Sequence, residues 1–258
     1  MRVLAAAMML VLGASVASAE VRTKVVEYTQ GSTPLQGLMA WDDAVHGRRP
    51  GVLIAHDWMG VGPFVEGRAR ELAKLGYVAF CADIYGKGVR PTNAEQAAKT
   101  AAVYKGDRPL TRARVAAALD ILRADPLVDP KRIAAIGYCF GGMVVLELAR
   151  SGADIAGVVV FHGTLDTPTP GDARNIRAKV LALQGADDPF VGPKDVAAFE
   201  QEMRAGHVDW ELVQYGNAVH AFTNPAAGND NSRGAAYNAE ADRRSWQAMK
   251  DFFAEIFH

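Results

Sequence analysis

Cys139 stands between two apolar segments, at the centre of the pattern Gly-x-Cys-x-Gly. This pattern is typical of a nucleophile on a sharp strand-to-helix turn, where small residues are needed because backbone approaches backbone. Gly137, Gly141 and Gly142 meet that need. The N–H groups at the start of the following helix would favour a thiolate, which is the nucleophilic form of cysteine. The alternative is a buried cysteine in an ordinary glycine-containing turn.

An acid and a histidine follow this cysteine in the chain order nucleophile, acid, histidine. Nucleophilic acyl transfer needs a base within reach of the nucleophile and an acid that holds the base in the right tautomer. Asp188 follows the next to last predicted strand, and His220 follows the last one. Asp187 competes with Asp188 for the acidic role, and we interpret Asp187 as a turn cap. The sequence therefore predicts a catalytic triad of Cys139, Asp188 and His220.

The negative oxygen that forms during acyl transfer needs N–H donors that are already in place. One donor is expected from the backbone of Phe140, the residue after the nucleophile. The other is expected from the polar and aromatic segment 56–60, which follows a buried apolar strand, and Trp58 is the best candidate.

Other side chains near predicted strand ends are assigned to the substrate pocket or to structural roles. Tyr85 and Phe222, together with the side chains of the two oxyanion residues, are candidates to line the substrate pocket. His56 and His162 are predicted to be structural hydrogen-bonding residues. Cys81 lies inside its own apolar strand, which favours an inert core residue.

The elements that must position these residues alternate along the chain. Apolar segments of strand length are separated by segments of helical period from residue 51 onward, and a hairpin over residues 21–41 precedes them. A long amphipathic helix is predicted at 235–257. This order predicts an α/β fold with a mostly parallel, doubly wound sheet covered by helices on both faces. Residues 224–234 are predicted to be a mobile surface loop.

The first 19 residues have the features of an export signal. Met1-Arg2 is positive, residues 3–16 are apolar, and Ala17-Ser18-Ala19 resembles a cleavage site. A membrane anchor is the alternative, but the apolar stretch is shorter than the roughly 20 residues that span a bilayer. We expect cleavage after Ala19, one domain over 20–258, and a periplasmic or secreted protein with no membrane contact.

Charge and motifs limit the partners. The 28 basic and 29 acidic residues are interspersed, so neither nucleic acid nor an anionic membrane is expected as a partner. Zinc and nucleotide motifs are missing from the sequence, so we expect no metal and no cofactor. The expected partner is a small-molecule substrate, and the expected state is a monomer.

Five segments resemble the dienelactone hydrolase family of α/β-hydrolases, and the resemblance extends over nearly the whole chain after residue 19. The matching segments are Gly-Tyr-Cys-Phe-Gly-Gly at 137–142, Gly-x-x-Asp-Pro-Phe-Val at 185–191, Tyr-x-x-Ala-x-His-Ala-Phe at 215–222, Ala-Asp-Ile-Tyr-Gly at 82–86, and Tyr-Asn-Ala-Glu-Ala-Asp-x-Arg-Ser-Trp at 237–246.

The resemblance implies the α/β-hydrolase fold and the same triad. It further implies that a carboxylate, here Asp57, pairs with the resting thiol of Cys139. Family members that cleave dienelactone carry glutamate at that position and hold the substrate carboxylate with arginines, one of them shortly after the catalytic histidine. In this chain Thr223-Asn224-Pro225 stand there instead.

These observations lead to one main hypothesis and three alternatives. The main hypothesis is an exported, cofactor-free hydrolase that cleaves an ester or lactone through an acyl-enzyme on Cys139. A general carboxylesterase or thioesterase for small acyl groups is an alternative in the same class. A non-catalytic binding protein on the same fold is another. A thiol redox protein would require a reversible disulfide between Cys81 and Cys139.

Overall fold

One eight-stranded sheet forms the centre of the computed structural model, which describes residues 20–258. The predicted signal peptide, residues 1–19, lies outside the described residues. The strand order across the sheet is β1-β2-β4-β3-β5-β6-β7-β8. The strands are β1 (Val21–Gln30), β2 (Thr33–Asp42), β3 (Arg49–Ala55), β4 (Val78–Ala82), β5 (Val128–Tyr138), β6 (Gly157–Phe161), β7 (Lys179–Gly185) and β8 (Trp210–Tyr215).

The first two strands form the antiparallel hairpin that the sequence predicts, and β2 also pairs antiparallel with β4. Every other neighbouring pair, from β4 to β8, is parallel. Because parallel strands point the same way, β3 to β8 all end at one edge of the sheet. Ligands bind at this edge in open α/β sheets.

Six α-helices cover the sheet within residues 20–258. Helices α2 to α5 pack on one face, and α1 and α6 pack on the other. This double cover explains why β4 and β6 are buried along their whole length. The predicted fold class is confirmed. None of the described helices is long and apolar enough to cross a membrane. The helices are α1 (Pro63–Lys74), α2 (Ala94–Gly106), α3 (Arg108–Ala124), α4 (Phe140–Arg150), α5 (Pro193–Ala205) and α6 (Ala239–Ile256).

Helix α4 is buried on all sides, and ion pairs hold its carboxyl end. Glu147 pairs with Arg112 of α3 at 2.7 Å and with Arg150 at 3.1 Å, and Arg150 pairs with Glu202 of α5 at 2.7 Å. Removing one partner of such a buried pair typically costs about 3–5 kcal/mol, because it leaves an unpaired charge. The helix that begins directly after Cys139 is therefore anchored at its carboxyl end by buried ion pairs.

Candidate active site

Cys139 occupies a sharp turn between β5, which ends at Tyr138, and α4, which begins at Phe140. Its backbone has φ 54° and ψ −115°, a conformation that is strained for any residue with a Cβ. The neighbouring glycines allow this turn. A Cβ on Gly137 would collide with the carbonyl of Gly141, and a Cβ on Gly141 would collide with the carbonyl of Ala55.

Three side chains predicted from separate segments are joined by hydrogen bonds. His220 lies after β8, and its Nε2 is 3.0 Å from the Sγ of Cys139. Its Nδ1 donates to Oδ2 of Asp188, after β7, at 2.8 Å. Asp188 is buried, and its other oxygen accepts the N–H of Phe190. Asp187 is exposed, and its backbone N–H donates to the carbonyl of Ala218.

The electrostatic surroundings favour a protonated His220. Burial opposes the charged ring, but the Cys139 sulfur and the Asp188 carboxylate outweigh burial and raise the pKa of His220 to about 10. A histidine that keeps its proton beside a sulfur stabilises the sulfur as a thiolate. The arrangement is therefore suited to an ion pair between an imidazolium and a nucleophilic thiolate.

The main chain of His220 is held by the segment that follows it. The N–H of His220 donates to the carbonyl of Gly234, and the N–H of Ala236 donates to the carbonyl of His220. Between these contacts lie two short 3-10 helices, Pro225–Ala227 and Asn231–Arg233. The sequence suggested a mobile surface loop at 224–234. The structure places several of its residues on the wall of the cavity described below.

Two residues of the cavity wall have a backbone N–H that makes no hydrogen bond within the described part of the chain. The N–H groups of Phe140 and Trp58 donate to no acceptor among residues 20–258. Phe140 is the first residue of α4, so its N–H belongs to the positive end of the helix dipole. Both residues line the same cavity as Cys139. These are the two donors that the sequence predicts for an oxyanion.

Asp57 lines the cavity, but the expected pairing with the thiol is not formed. Its Oδ1 accepts the N–H of Met59 at 2.8 Å, and in the described part of the chain it makes no hydrogen bond to Cys139. The physical reason is that a short aspartate side chain can close a local turn onto the backbone two residues ahead. Burial raises the pKa of Asp57. The sulfur is paired with His220 instead.

A cavity of about 650 Å³ opens in front of Cys139. Its wall is largely apolar, and two large aromatic side chains on it are exposed to solvent, Trp58 at 37% and Phe190 at 59%. Two cations, Lys105 and Arg233, also line it. Neither forms an ion pair with another residue of the described chain. The remaining lining residues are Asp57, Met59, Phe64, Phe140, His162, Thr164, His220, Ala221, Asn224, Ala226, Ala227 and Ala235.

Two of the four aromatic residues predicted to line the pocket, Trp58 and Phe140, do line the cavity. The prediction is wrong for Tyr85 and Phe222, which are buried behind the cavity wall. Tyr85 is buried, and its hydroxyl donates to the carbonyl of Trp58 at 3.1 Å. Phe222 is fully buried and packs edge-on against His162 and Tyr215. Aromatic residues at strand ends fill the core as readily as they line pockets, and only the fold distinguishes the two cases.

The two other buried histidines near the site bind structural partners. The N–H of Ile84 donates to Nε2 of His56, so Nδ1 carries the proton and donates to the carbonyl of Asp57. Burial lowers the pKa of His56 to about 4. His162 Nε2 lies 2.7 Å from the hydroxyl of Thr223, and burial lowers the pKa of His162 well below its usual range.

Metal and disulfide chemistry find no support in the geometry. Residues 20–258 contain no group of three or more His, Cys, Asp or Glu side chains arranged to hold a metal ion. Cys81 on β4 and Cys139 after β5 are separated by β3, and strands lie about 4.8 Å apart. Two strand spacings exceed the roughly 4.4–6.8 Å between Cα atoms that a disulfide requires. The thiol redox alternative is therefore excluded for this fold.

The parallel sheet, the turn at Cys139 and the histidine after the last strand together define an α/β-hydrolase. The dienelactone hydrolase family model matches residues 35–257, so the chain belongs to that family. As a member, it is a carboxylic ester hydrolase of the dienelactone hydrolase kind.

Several relatives are similar over most of their length. The solved structure called m3DLH is 42% identical, with a TM-score of 0.89, and the match covers 92% of this chain and 99% of that one. A dienelactone hydrolase-like promiscuous phosphotriesterase, P91 from metagenomic libraries, is 42% identical with a TM-score of 0.88, covering 93% and 100%. A probable 2-oxo-3-(5-oxofuran-2-ylidene)propanoate lactonase from Bradyrhizobium sp is 31% identical, covering 69% and 75%.

Proposed function

We propose that this protein hydrolyses a small ester or lactone with Cys139 as nucleophile, His220 as acid and base, and Asp188 as the group that orients His220. The observation that carries the proposal is the position of His220, which reaches the sulfur at 3.0 Å with one nitrogen and Asp188 at 2.8 Å with the other. This is the arrangement that covalent acyl transfer requires.

Each step of the proposed acyl transfer is assigned to a side chain or backbone group of the site. The thiolate of Cys139 attacks the carbonyl carbon, and the N–H groups of Phe140 and Trp58 bind the oxygen as its charge develops. His220 gives its proton to the leaving alkoxide, which leaves an acyl thioester on Cys139. His220, now neutral, takes a proton from water, and the hydroxide releases the acid and restores the thiolate.

The cavity favours an apolar substrate that carries a negative charge. Its wall is mostly apolar, and Lys105 and Arg233 supply positive charge beside Asp57, the one carboxylate among the lining residues. They stand in for the arginine that is missing after His220. The lactonase relative is named for a lactone that bears a propanoate. We therefore propose a lactone or ester with a carboxylate, and a neutral small-acyl ester or thioester is the alternative within the class.

A panel of substrates tests the reaction. Purified chain beginning at Glu20 is assayed with p-nitrophenyl esters, matched thioesters and lactones, each neutral and carboxylate-bearing, before and after iodoacetamide. We expect ester or lactone turnover that alkylation of Cys139 removes. Activity that survives complete alkylation would contradict a thiol mechanism. Because P91 is 42% identical, a phosphotriester is added to the panel as a second candidate substrate.

Variants of the two cations test the substrate charge. Arg233→Gln and Lys105→Gln are expected to raise KM for the carboxylate-bearing member of each pair by about fivefold, because an exposed charge contact contributes at most about 1 kcal/mol. The neutral member serves as the internal control. Equal changes in KM for both members would show that the two cations do not bind the substrate carboxylate.

Export of the protein is part of the same proposal. The apolar stretch and the small residues at 17 and 19 support a cleavable signal, and the hydrolase would then act in the periplasm or outside the cell. Expression of the full chain in a bacterium, fractionation and amino-terminal sequencing test it. We expect a periplasmic protein that begins at Glu20, and a cytoplasmic protein that retains residues 1–19 would refute it.

A further inference from the structure

The end of strand β6 contacts both loops that carry the reacting groups. The carbonyl of Phe161 accepts the backbone N–H of Cys139 at 3.0 Å. The next residue, His162, reaches in a different direction, and its Nε2 lies 2.7 Å from the hydroxyl of Thr223. Thr223 is three residues after His220. Phe161, the last residue of a central strand, therefore holds the backbone of the nucleophile, and the next residue, His162, holds the loop of the base.

His162 itself is held in a costly conformation. It is almost fully buried and has φ 40°, in the left-handed region that side chains other than glycine rarely adopt. Its N–H donates to the carbonyl of Leu183 on β7, which ties it to the sheet. Its ring stands edge-on to the ring of His220, with 5.3 Å between centroids. Strain that persists at a site usually reflects a function, because the surroundings must overcome its cost.

The loop that receives this contact is also held through its backbone, since the N–H of Asn238 donates to the carbonyl of Phe222 at 3.0 Å. Ala221 has φ 58°, so the chain turns sharply directly after His220. Thr223 is fully buried, its hydroxyl meets His162, and its carbonyl accepts Arg68 of α1 at 2.9 Å. Arg68 pairs with Asp242 of α6. The hydroxyl of Thr223 thus links the base loop to the strand that also holds the nucleophile, whereas its carbonyl links the loop to outer helices.

A histidine suits this place because it forms a hydrogen bond without adding charge. The ring is buried and faces the protonated His220, and both effects keep the pKa of His162 well below its usual range. A lysine or arginine at 162 would place a second positive charge beside the ring of His220 and weaken the thiolate–imidazolium pair. A neutral imidazole avoids that repulsion.

We propose that His162 is a positioning residue, which, through the hydroxyl of Thr223, sets the distance between the ring of His220 and the sulfur of Cys139. The inference rests on the proposed function, since it concerns the alignment of that nucleophile and base. Thr223 does not line the cavity, whereas His162 does, so variants of Thr223 test the hydrogen bond without altering the cavity wall.

Two matched pairs of variants separate this role from simple packing. Thr223→Val keeps the shape of the side chain and removes the hydroxyl, whereas Thr223→Ser keeps the hydroxyl. His162→Gln keeps a nitrogen that reaches Thr223, whereas His162→Asn tolerates the left-handed backbone better and is too short to reach. The readouts are kcat and KM, the pH profile of Cys139 alkylation by iodoacetamide, and the melting temperature.

The hydroxyl contact predicts a defined order of effects. Thr223→Val and His162→Asn should lower kcat by about tenfold to a hundredfold, because small misplacements of a base have effects of that size. Thr223→Val should change KM little. Both should slow alkylation of Cys139 at neutral pH. The Ser and Gln variants should recover most of kcat. The double variant Thr223→Val with His162→Asn should have a kcat no lower than that of the less active single variant, because the two substitutions remove the same hydrogen bond.

Three results would overturn the inference. The first is equal kcat for Thr223→Val and Thr223→Ser. The second is a higher kcat for His162→Asn than for His162→Gln, which would assign the effect to the backbone. The third is an unchanged alkylation profile in Thr223→Val. Alkylation needs no substrate, so a changed profile in a protein that hydrolyses no ester would support the positioning role while refuting the proposed function.

Discussion

The two cysteines of this chain have the same side chain and opposite surroundings. Cys81 lies inside β4, is fully buried, and donates its thiol to the carbonyl of Val65. Burial raises the pKa of Cys81 and keeps it in the unreactive thiol form. Cys139 is partly exposed on a strained turn, 3.0 Å from a histidine whose pKa is raised. The proposed difference in reactivity therefore comes from position in the sheet and not from residue type.

The register of the sheet explains the difference. Cys81 lies level with Ile54 on β3, and Ile54 lies level with Ile136 on β5. Cys139 comes three residues further along, past the last residue of β5. One sulfur is thus in the middle of a layer covered on both faces, and the other is beyond the edge, where the cavity and the helix N-terminus begin.

The largest expected effect is the loss of turnover on replacing Cys139. Cys139→Ala should lower kcat by about four to six orders of magnitude, as removal of a covalent nucleophile does in other hydrolases. Cys81→Ala is the matched control and should keep its turnover, because its sulfur has no access to the cavity. Circular dichroism of both variants checks the fold. Comparable turnover in the two variants would refute the assignment of the nucleophile.

The next largest effect is expected at the acid that orients the base. Asp188→Asn removes the charge that holds the Nδ1 proton of His220 and should lower kcat by about a thousandfold or more. Asp187→Asn changes the neighbouring exposed carboxylate and should leave kcat close to that of the wild type. Steady-state kinetics on one ester measures both. A larger loss for Asp187→Asn would exchange the roles of the two aspartates.

A smaller but diagnostic effect concerns the protonation of His220. In the wild-type protein the ring should stay protonated through neutral pH and lose its proton near pH 10, because the Cys139 sulfur is the largest influence that raises its pKa. In Cys139→Ala the pKa of His220 should fall, since that charge is gone, and in Cys81→Ala it should not change. Histidine resonances followed by NMR against pH measure it. An unchanged pKa of His220 in Cys139→Ala would contradict the predicted electrostatic coupling between His220 and the Cys139 sulfur.

The fold, and the grouping of Cys139, Asp188 and His220 at one edge of the sheet, were predictable because they follow from chain order. Buried strands that alternate with helices specify a parallel sheet, and parallel strands deliver whatever follows them to one edge. Cys139, Asp188 and His220 each follow a different strand, so the topology brings them together without knowledge of the loops. The glycines around Cys139 gave a second, independent signal, because the turn leaves no space for a Cβ.

The cavity wall was not predictable in the same way, because loop conformations decide it. Lys105, Phe190 and Arg233 reach the cavity from a helix end and from loops, and no periodicity marks them. Phe190 had one usable signal, since it directly follows Asp188-Pro189 in a matching family segment. The hydrogen bond of Asp57 also had a signal in the sequence, because an aspartate side chain often accepts the backbone N–H two residues ahead and closes a local turn.

The smallest expected effect is the difference in stability between the Gly and Ala variants, which should have opposite signs at the two cysteines. Within β4, Cys81→Gly should be less stable than Cys81→Ala by about 1 kcal/mol, because glycine loses more backbone entropy in a strand. At Cys139 the order should reverse. The φ of 54° strains any residue with a Cβ, so Cys139→Gly should be more stable than Cys139→Ala by about 1 kcal/mol. Urea unfolding of the four variants measures both differences, and the same order at both positions would show that the turn at Cys139 stores no strain.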